Sequence, residues 1–210
     1  MRVLITLGPT QEPIDDVRFI TNASSGKMGA ALAEEALRRG HEVTVVSGPV
    51  SIQLPVKADV HKVRTGEEMT QKTLGLLALT DVLISTAAIA DYTPEKKASG
   101  KIKSGGELVL RLKPTRKLIK EARARHPELR IVGFKAEYGL NQAKLVESAR
   151  KNLLENKLDL TIANDLKKGV FNSDKTEAYV IDADTVIKTG RITKKKAAEI
   201  IWDKIEELDS

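Results

Sequence analysis

The chain has no cysteine, so a disulfide framework, a thiolate metal site and a cysteine nucleophile are all excluded. Histidine is nearly as scarce. His41, His61 and His126 lie far apart, without HExxH or HxxxH spacing, and no histidine-based metal site is expected. Aromatic residues make up only 3% of the chain. The net charge is +6 and the pI about 9.4, but Lys and Arg are interleaved with Asp and Glu. Neither the basic stripe nor the stacking platform of a nucleic-acid binder is present. A mildly basic surface facing an anionic small molecule fits better. No hydrophobic run approaches a membrane span. The opening Met-Arg-Val-Leu-Ile-Thr reads as a strand and not as a signal peptide, so the expectation is a soluble, cytoplasmic protein with neither membrane nor nucleic-acid partner.

What is present is a core. Hydrophobic residues make up 41% of 210, and strand and helix signals alternate, which predicts an α/β fold with a mainly parallel sheet. Val3–Ile5 reads as a first strand, and a helix follows over 26–39, stopped by Gly40. Strands are expected at 43–47, 60–63 and 81–86. Between the last two, Thr65 caps a helix to about Ala78, with Glu67 and Glu68 in its first turn. A long loop is expected over 87–106 and a strand over 107–112. Helices over 115–124 and 141–156 flank a strand at 130–134. Residues 158–163 read as the last core strand and 164–175 as polar loop. Short strands at 177–181 and 185–188 form a hairpin, and Thr193 caps a final helix. The expectation is one domain over 1–210: a doubly wound, Rossmann-like core to about 165, then a small hairpin and a helix.

The most informative stretch is Gly8–Gly29, GPTQEPIDDVRFITNASSGKMG. It leads from the first strand into a helix whose Gly26, Gly29, Ala30, Ala31 and Ala33 permit close packing. Helix N-termini present unpaired N–H groups and a positive dipole end, so Ser24-Ser25-Gly26 is placed to meet a phosphate or carboxylate. Ligands of open α/β sheets bind outside the C-terminal ends of the strands. The polar residues there are Thr10 and Asn22, Asp91 and Lys101, Glu137, and Asn164 and Asp165, with Phe134 beside them. One shared site is expected. A Walker A loop is excluded because Gly26-Lys27 is followed by Met28. The dinucleotide fingerprint is only partly met by SxGxxG over 24–29, and the strand at 43–47 ends without an acid. An NADP-dependent reductase stays as the alternative, although Tyr92 and Lys96 sit in a proline-containing loop instead of on a helix.

Several segments together resemble phosphopantothenoylcysteine synthetase, the ligase half of the coenzyme A biosynthetic flavoprotein. They are Gly8–Gly29, VTVVSGPV (43–50), AAIADY (87–92), KIKS (101–104), VGFKAE (132–137), LDLTIAND (158–165) and GVFNSD (169–174). The resemblance implies ligation of 4′-phosphopantothenate with L-cysteine. A nucleoside triphosphate, CTP in bacterial members and ATP in others, converts the carboxylate to an acyl-nucleotide with release of pyrophosphate. A divalent cation such as Mg²⁺ is expected with the triphosphate. By resemblance, Asn22 holds the acyl-nucleotide and Lys101 is the catalytic lysine; its loop, flexible by composition, is expected to order on binding. Ser24, Ser25, Gly26, Ala87, Asp91, the segment Arg116, Lys117, Leu118 and Ile119, and Phe134 contact the nucleotide. Two lysines of the bacterial members map onto Asn152 and Asn156, which leaves CTP or ATP open. The resemblance also implies a homodimer and a flavin-dependent decarboxylase, on the same chain or on another protein.

Overall fold

The computed structural model describes residues 1–168 and 173–208. The first four residues of the 169–174 motif therefore lie outside the described residues. The organising element is β1 (Arg2–Leu7), whose alternating side chains serve both faces of the sheet. Val3, Ile5 and Leu7 join one apolar cluster, while Leu4 joins another on the opposite face. That double burial marks a central parallel strand.

After β1 the chain forms a small antiparallel pair, β2 (Gln11–Pro13) and β3 (Phe19–Thr21), within a stretch expected to be loop. Helix α1 (Lys27–Arg38), β4 (Glu42–Ser47) and β5 (Asp59–Lys62) follow. Helix α2 (Gly66–Leu76) starts with the expected cap: Thr65 Oγ1 accepts from Glu68 N while the Glu68 carboxylate accepts from Thr65 N. Buried Glu12 of β2 accepts from Gly66 N at 2.8 Å and ties the small hairpin to this helix.

The chain returns to the sheet as β6 (Val82–Ser85) and then leaves it again. β7 (Tyr92–Pro94) and β8 (Leu112–Pro114) pair into an arm closed by residues 95–111. The strand expected over 107–112 is thus displaced to 112–114. Its apolar residues find no partner strand before Leu112, and Leu108 and Val109 are exposed. Next come α3 (Leu118–Arg125), β9 (Arg130–Glu137), α4 (Gln142–Glu155) and β10 (Leu160–Asp165). β10 is not the last strand of the core. β11 (Lys175–Ile181) pairs antiparallel with it and β12 (Val186–Thr193) with β11, so the hairpin is longer than expected and extends the main sheet. Thr193 caps α5 (Lys194–Glu207) as expected.

The eight-stranded sheet runs β12-β11-β10-β9-β6-β1-β4-β5. The strands from β10 to β5 are mutually parallel, and their order reverses between β1 and β6. This is the doubly wound arrangement, with its crevice at the carboxyl ends of β1 and β6. Helices α1 and α5 cover one face. Trp202 of α5 is fully buried there and donates from Nε1 to Leu32 O of α1 at 2.9 Å. Helices α2, α3 and α4 cover the other face.

Candidate nucleotide and acyl-transfer site

The loops leaving β1 and β6 are stitched together at the switch point. Ala88 N donates to Gly8 O at 2.9 Å, and Ala90 N to Thr10 Oγ1 at 3.0 Å. Thr10 is fully buried, and its carbonyl accepts from Thr21 Oγ1. Asn22, one residue on, sends its side-chain amide across the crevice to Ala88 O at 3.1 Å and Ile89 O at 3.4 Å. Asn22 is exposed. The segment before α3 joins the same edge: Thr115 Oγ1 donates to Ala90 O, and Thr115 N to Asp91 O. Lys117, the N-cap of α3, pairs with Asp91 at 2.5 Å. Asn22, Asp91 and Lys117 therefore share one crevice edge, while Ala87, just before Ala88, packs on the side of the sheet covered by α2 and α3.

A second group gathers at the start of α1. Gly26 is its N-cap with φ 75°, and a Cβ there would stand 2.8 Å from Val50 Cγ1, so only glycine fits without displacement. Gly26 N turns back to Ser24 Oγ at 3.3 Å. A Cβ on Gly29 would stand 2.5 Å from both Leu7 Cβ and Thr86 Oγ1; this glycine lets the helix lie directly on the strand ends. The Ser24-Ser25-Gly26 turn forms one wall of a cavity completed by Phe134, Asn164, Thr176 and Lys194. Phe134 packs on the α1–α5 side of the sheet, half-buried.

The remaining expected contacts fall elsewhere. Leu118 is buried and Ile119 half-buried against the cluster on the opposite face. Arg116 pairs with Glu121 of α3 and, at 2.7 Å, with Glu67 of α2; the Glu121 bond first and the Glu67 bond second raise its pKa further. Asn152 lies in the last turn of α4 and Asn156 is its C-cap. Asn156 Nδ2 donates to Asn152 O and Oδ1, both at 3.0 Å, so the two amides satisfy each other at the far end of a helix that has left the crevice. Glu137 and Asp165, also expected at the site, are bonded to neighbouring segments. Glu137 accepts from Ser148 Oγ, then from Lys135, and both depress its pKa. Asp165 accepts from Gly139 N and Lys167 N.

Lys101 is exposed on the segment closing the β7–β8 arm. Four polar cavity residues are not singled out as ligand contacts from sequence. Asn164 was noted only as a polar strand end. Thr176 and Lys194 are brought back by β11 and α5. Lys27, on the cavity wall, pairs with Asp174 at 2.6 Å. Lys194 is buried, its Nζ donates to Ser173 O at 2.6 Å, and burial first and Lys27 second lower its pKa. The signal available was local: GKMG for Lys27 and the cap at Thr193 for Lys194. Among the described residues no group of three or more His, Cys, Asp or Glu could hold a metal ion, and no helix is long and apolar enough to cross a membrane.

Residues 1–208 match the family model described as the DNA/pantothenate metabolism flavoprotein C-terminal domain, and the chain belongs to this family. It is 44% identical over 209 residues to the coenzyme A biosynthesis bifunctional protein CoaBC of Thermococcus kodakarensis, covering 99% of this chain and 51% of the relative. The chain thus spans about half the length of that curated relative. The crystal structure of the DNA/pantothenate metabolism flavoprotein from Streptococcus pneumoniae superimposes with a TM-score of 0.88 at 29% identity, covering 99% of each chain. The C-terminal domain of a CoaBC protein gives 0.84 at 34% identity, covering 99% of this chain and 94% of that one. The resemblance to phosphopantothenoylcysteine synthetase holds, and the reductase alternative is left without support.

Proposed function

We propose that this member of the family ligates 4′-phosphopantothenate with L-cysteine in coenzyme A biosynthesis, through an acyl-nucleotide formed from CTP or ATP. A carboxylate is a poor acyl donor, and transfer to a nucleoside monophosphate supplies a leaving group. Attack on the α-phosphate builds negative charge, which is stabilised by donors and cations already fixed in place. The observation that carries the reading is the Asn22 amide anchored on Ala88 O and Ile89 O, across the switch-point crevice that opens beside the Ser24-Ser25-Gly26 turn. An amide donates and accepts without titrating, which suits a mixed anhydride.

In this reading the α1 N-terminus receives a phosphate group and Phe134 walls the cavity beside it. Asp91 and Lys117 line the crevice edge. Lys101 supplies positive charge to the activation step. Mg²⁺ would enter with the triphosphate, which suits an ion that keeps waters and phosphate oxygens as ligands and needs few protein carboxylates. The exposed Tyr92, Leu108, Val109 and Leu112 on the arm support a homodimer built on that face. A flavin-dependent decarboxylase, fused or separate, is the expected partner, since that enzyme consumes the product, and the cytoplasm the expected location. Pyrophosphate release that requires 4′-phosphopantothenate, measured with CTP and ATP in turn, tests the reading. Release that ignores 4′-phosphopantothenate would contradict it.

A further inference from the structure

The arm segment that carries Lys101 is bound to the tip of the β2–β3 hairpin through the backbone on both sides of the lysine. Asp16 Oδ2 accepts from Gly100 N at 2.7 Å, and Asp16 N donates to Gly100 O at 3.2 Å. On the other side, Asp15 Oδ2 accepts from Ile102 N at 3.0 Å, and Arg18 Nη2 donates to Ile102 O at 2.9 Å. The N–H and C=O of both neighbours are therefore satisfied by residues 15–18, with Lys101 between them. Two further bonds brace the approach: Ala98 N to Ile14 O at 2.9 Å, and Lys97 Nζ to Asp16 Oδ1 at 2.6 Å.

The clamp is itself held rigid. Asp15 is 2% exposed, and its Oδ1 accepts from Val17 N and Arg18 N, closing a turn on the backbone. Its Oδ2 receives the Arg18 guanidinium at 2.5 and 3.0 Å. Arg18, first among several donors, holds the Asp15 carboxyl well below the usual carboxylate range, so the clamp is charged at neutral pH. Around Lys101 the arm has no apolar core: residues 103–111 are exposed throughout. A surface segment without buried apolar contacts is placed only by its hydrogen bonds.

We infer that Asp15 and Asp16, with Arg18, are positioning residues that set where Lys101 stands, and that they act on the activation step through Lys101 alone. This role rests on the reading of Lys101 as the cation of acyl-nucleotide formation.

The test is a double-mutant cycle on pyrophosphate release with Asp15→Asn, Lys101→Gln and the double variant, alongside the triphosphate Kd and amide hydrogen exchange at Gly100 and Ile102. Asp15→Asn is expected to slow release by about 10- to 100-fold, as misplacement of a catalytic group does, with Kd unchanged and exchange at Ile102 accelerated. The double variant should be no slower than Lys101→Gln, because the clamp has nothing left to place. Should Asp15→Asn fold poorly, Asp16→Asn at an exposed position gives the same pattern at smaller size, with the faster exchange at Gly100. If the losses multiply, or Asp15→Asn and Asp16→Asn both release at the wild-type rate, the inference is overturned. Wild-type release by Lys101→Gln removes the role of the lysine and the inference with it, a result distinct from an impaired lysine variant whose losses multiply.

Discussion

The α1–α5 seam and the β7–β8 arm both use arginine–carboxylate pairs, but for different purposes. In the seam, Arg39 is bonded to Glu35, Asp203 and Glu206, yet beneath this network lie Trp202, Ile201 and Leu32, all fully buried. Apolar burial sets the geometry there, and the ion pairs add to a surface already in contact. In the arm, Arg18 and Asp15 hold a segment whose Leu108 and Val109 face outward, so the polar bonds themselves set the geometry. Damage to the seam should therefore appear as lost stability, and damage at the arm as lost activity in a protein that remains folded.

The largest effect is expected in the seam. Trp202→Ala empties a fully buried site and removes the Nε1 bond to Leu32 O, at a cost of about 3–5 kcal/mol by denaturant unfolding. Its pyrophosphate release per folded molecule should stay at the wild-type level; a drop in a sample shown to be folded would erase the distinction. Lys101→Gln should do the reverse. Release is expected to fall on the order of 10²–10³-fold, the loss of one fixed charge-stabilising group, with no change in unfolding midpoint for this exposed side chain.

Asn22→Asp sharpens the comparison within the crevice. It should still bind nucleotide but, with a charge beside the acyl phosphate, yield about tenfold less trapped acyl-nucleotide, a difference of about 1.4 kcal/mol. Quench-flow recovery of the intermediate at the wild-type level would remove that role from Asn22. The smallest effect belongs to Glu35, whose pKa is lowered from 4.5 to about 2 by Arg38 first, against burial, with Arg39 adding to it. A depressed carboxyl stabilises the fold above its unfolded value and loses that contribution as pH falls. Stability should therefore decline between about 4.5 and 2. Glu35→Gln should flatten this decline in unfolding curves taken across that window. An unchanged slope would mean the pair adds nothing to the seam.

How far the sequence could be read depended on whether a feature is local. The caps at Thr65 and Thr193 are short-range and appear where expected. The three-residue pairs β2–β3 and β7–β8 are too short for any periodicity to show, so both segments read as loop. Glu107–Leu112 misled because contiguous leucine and valine mimic a strand, although no neighbouring strand meets them before Leu112. Asn22, Asp91 and the Ser24-Ser25-Gly26 turn could be placed at the switch point from sequence because they follow strands that end there. Thr176 and Lys194 were not, because they reach the cavity only when β11 doubles back on β10 and α5 returns to α1. Asn152 and Asn156 show another limit. Counting back from Leu158 gives their positions, but not that the helix carries them to its far end, where they bond each other.

The most direct test of the proposed ligation is pyrophosphate release by the wild-type chain with Mg²⁺, 4′-phosphopantothenate and CTP or ATP in turn, each with and without L-cysteine. The account predicts release with one of the two nucleotides only when 4′-phosphopantothenate is present, and faster turnover when cysteine is added. Release that does not depend on 4′-phosphopantothenate, or none with either nucleotide, would contradict it.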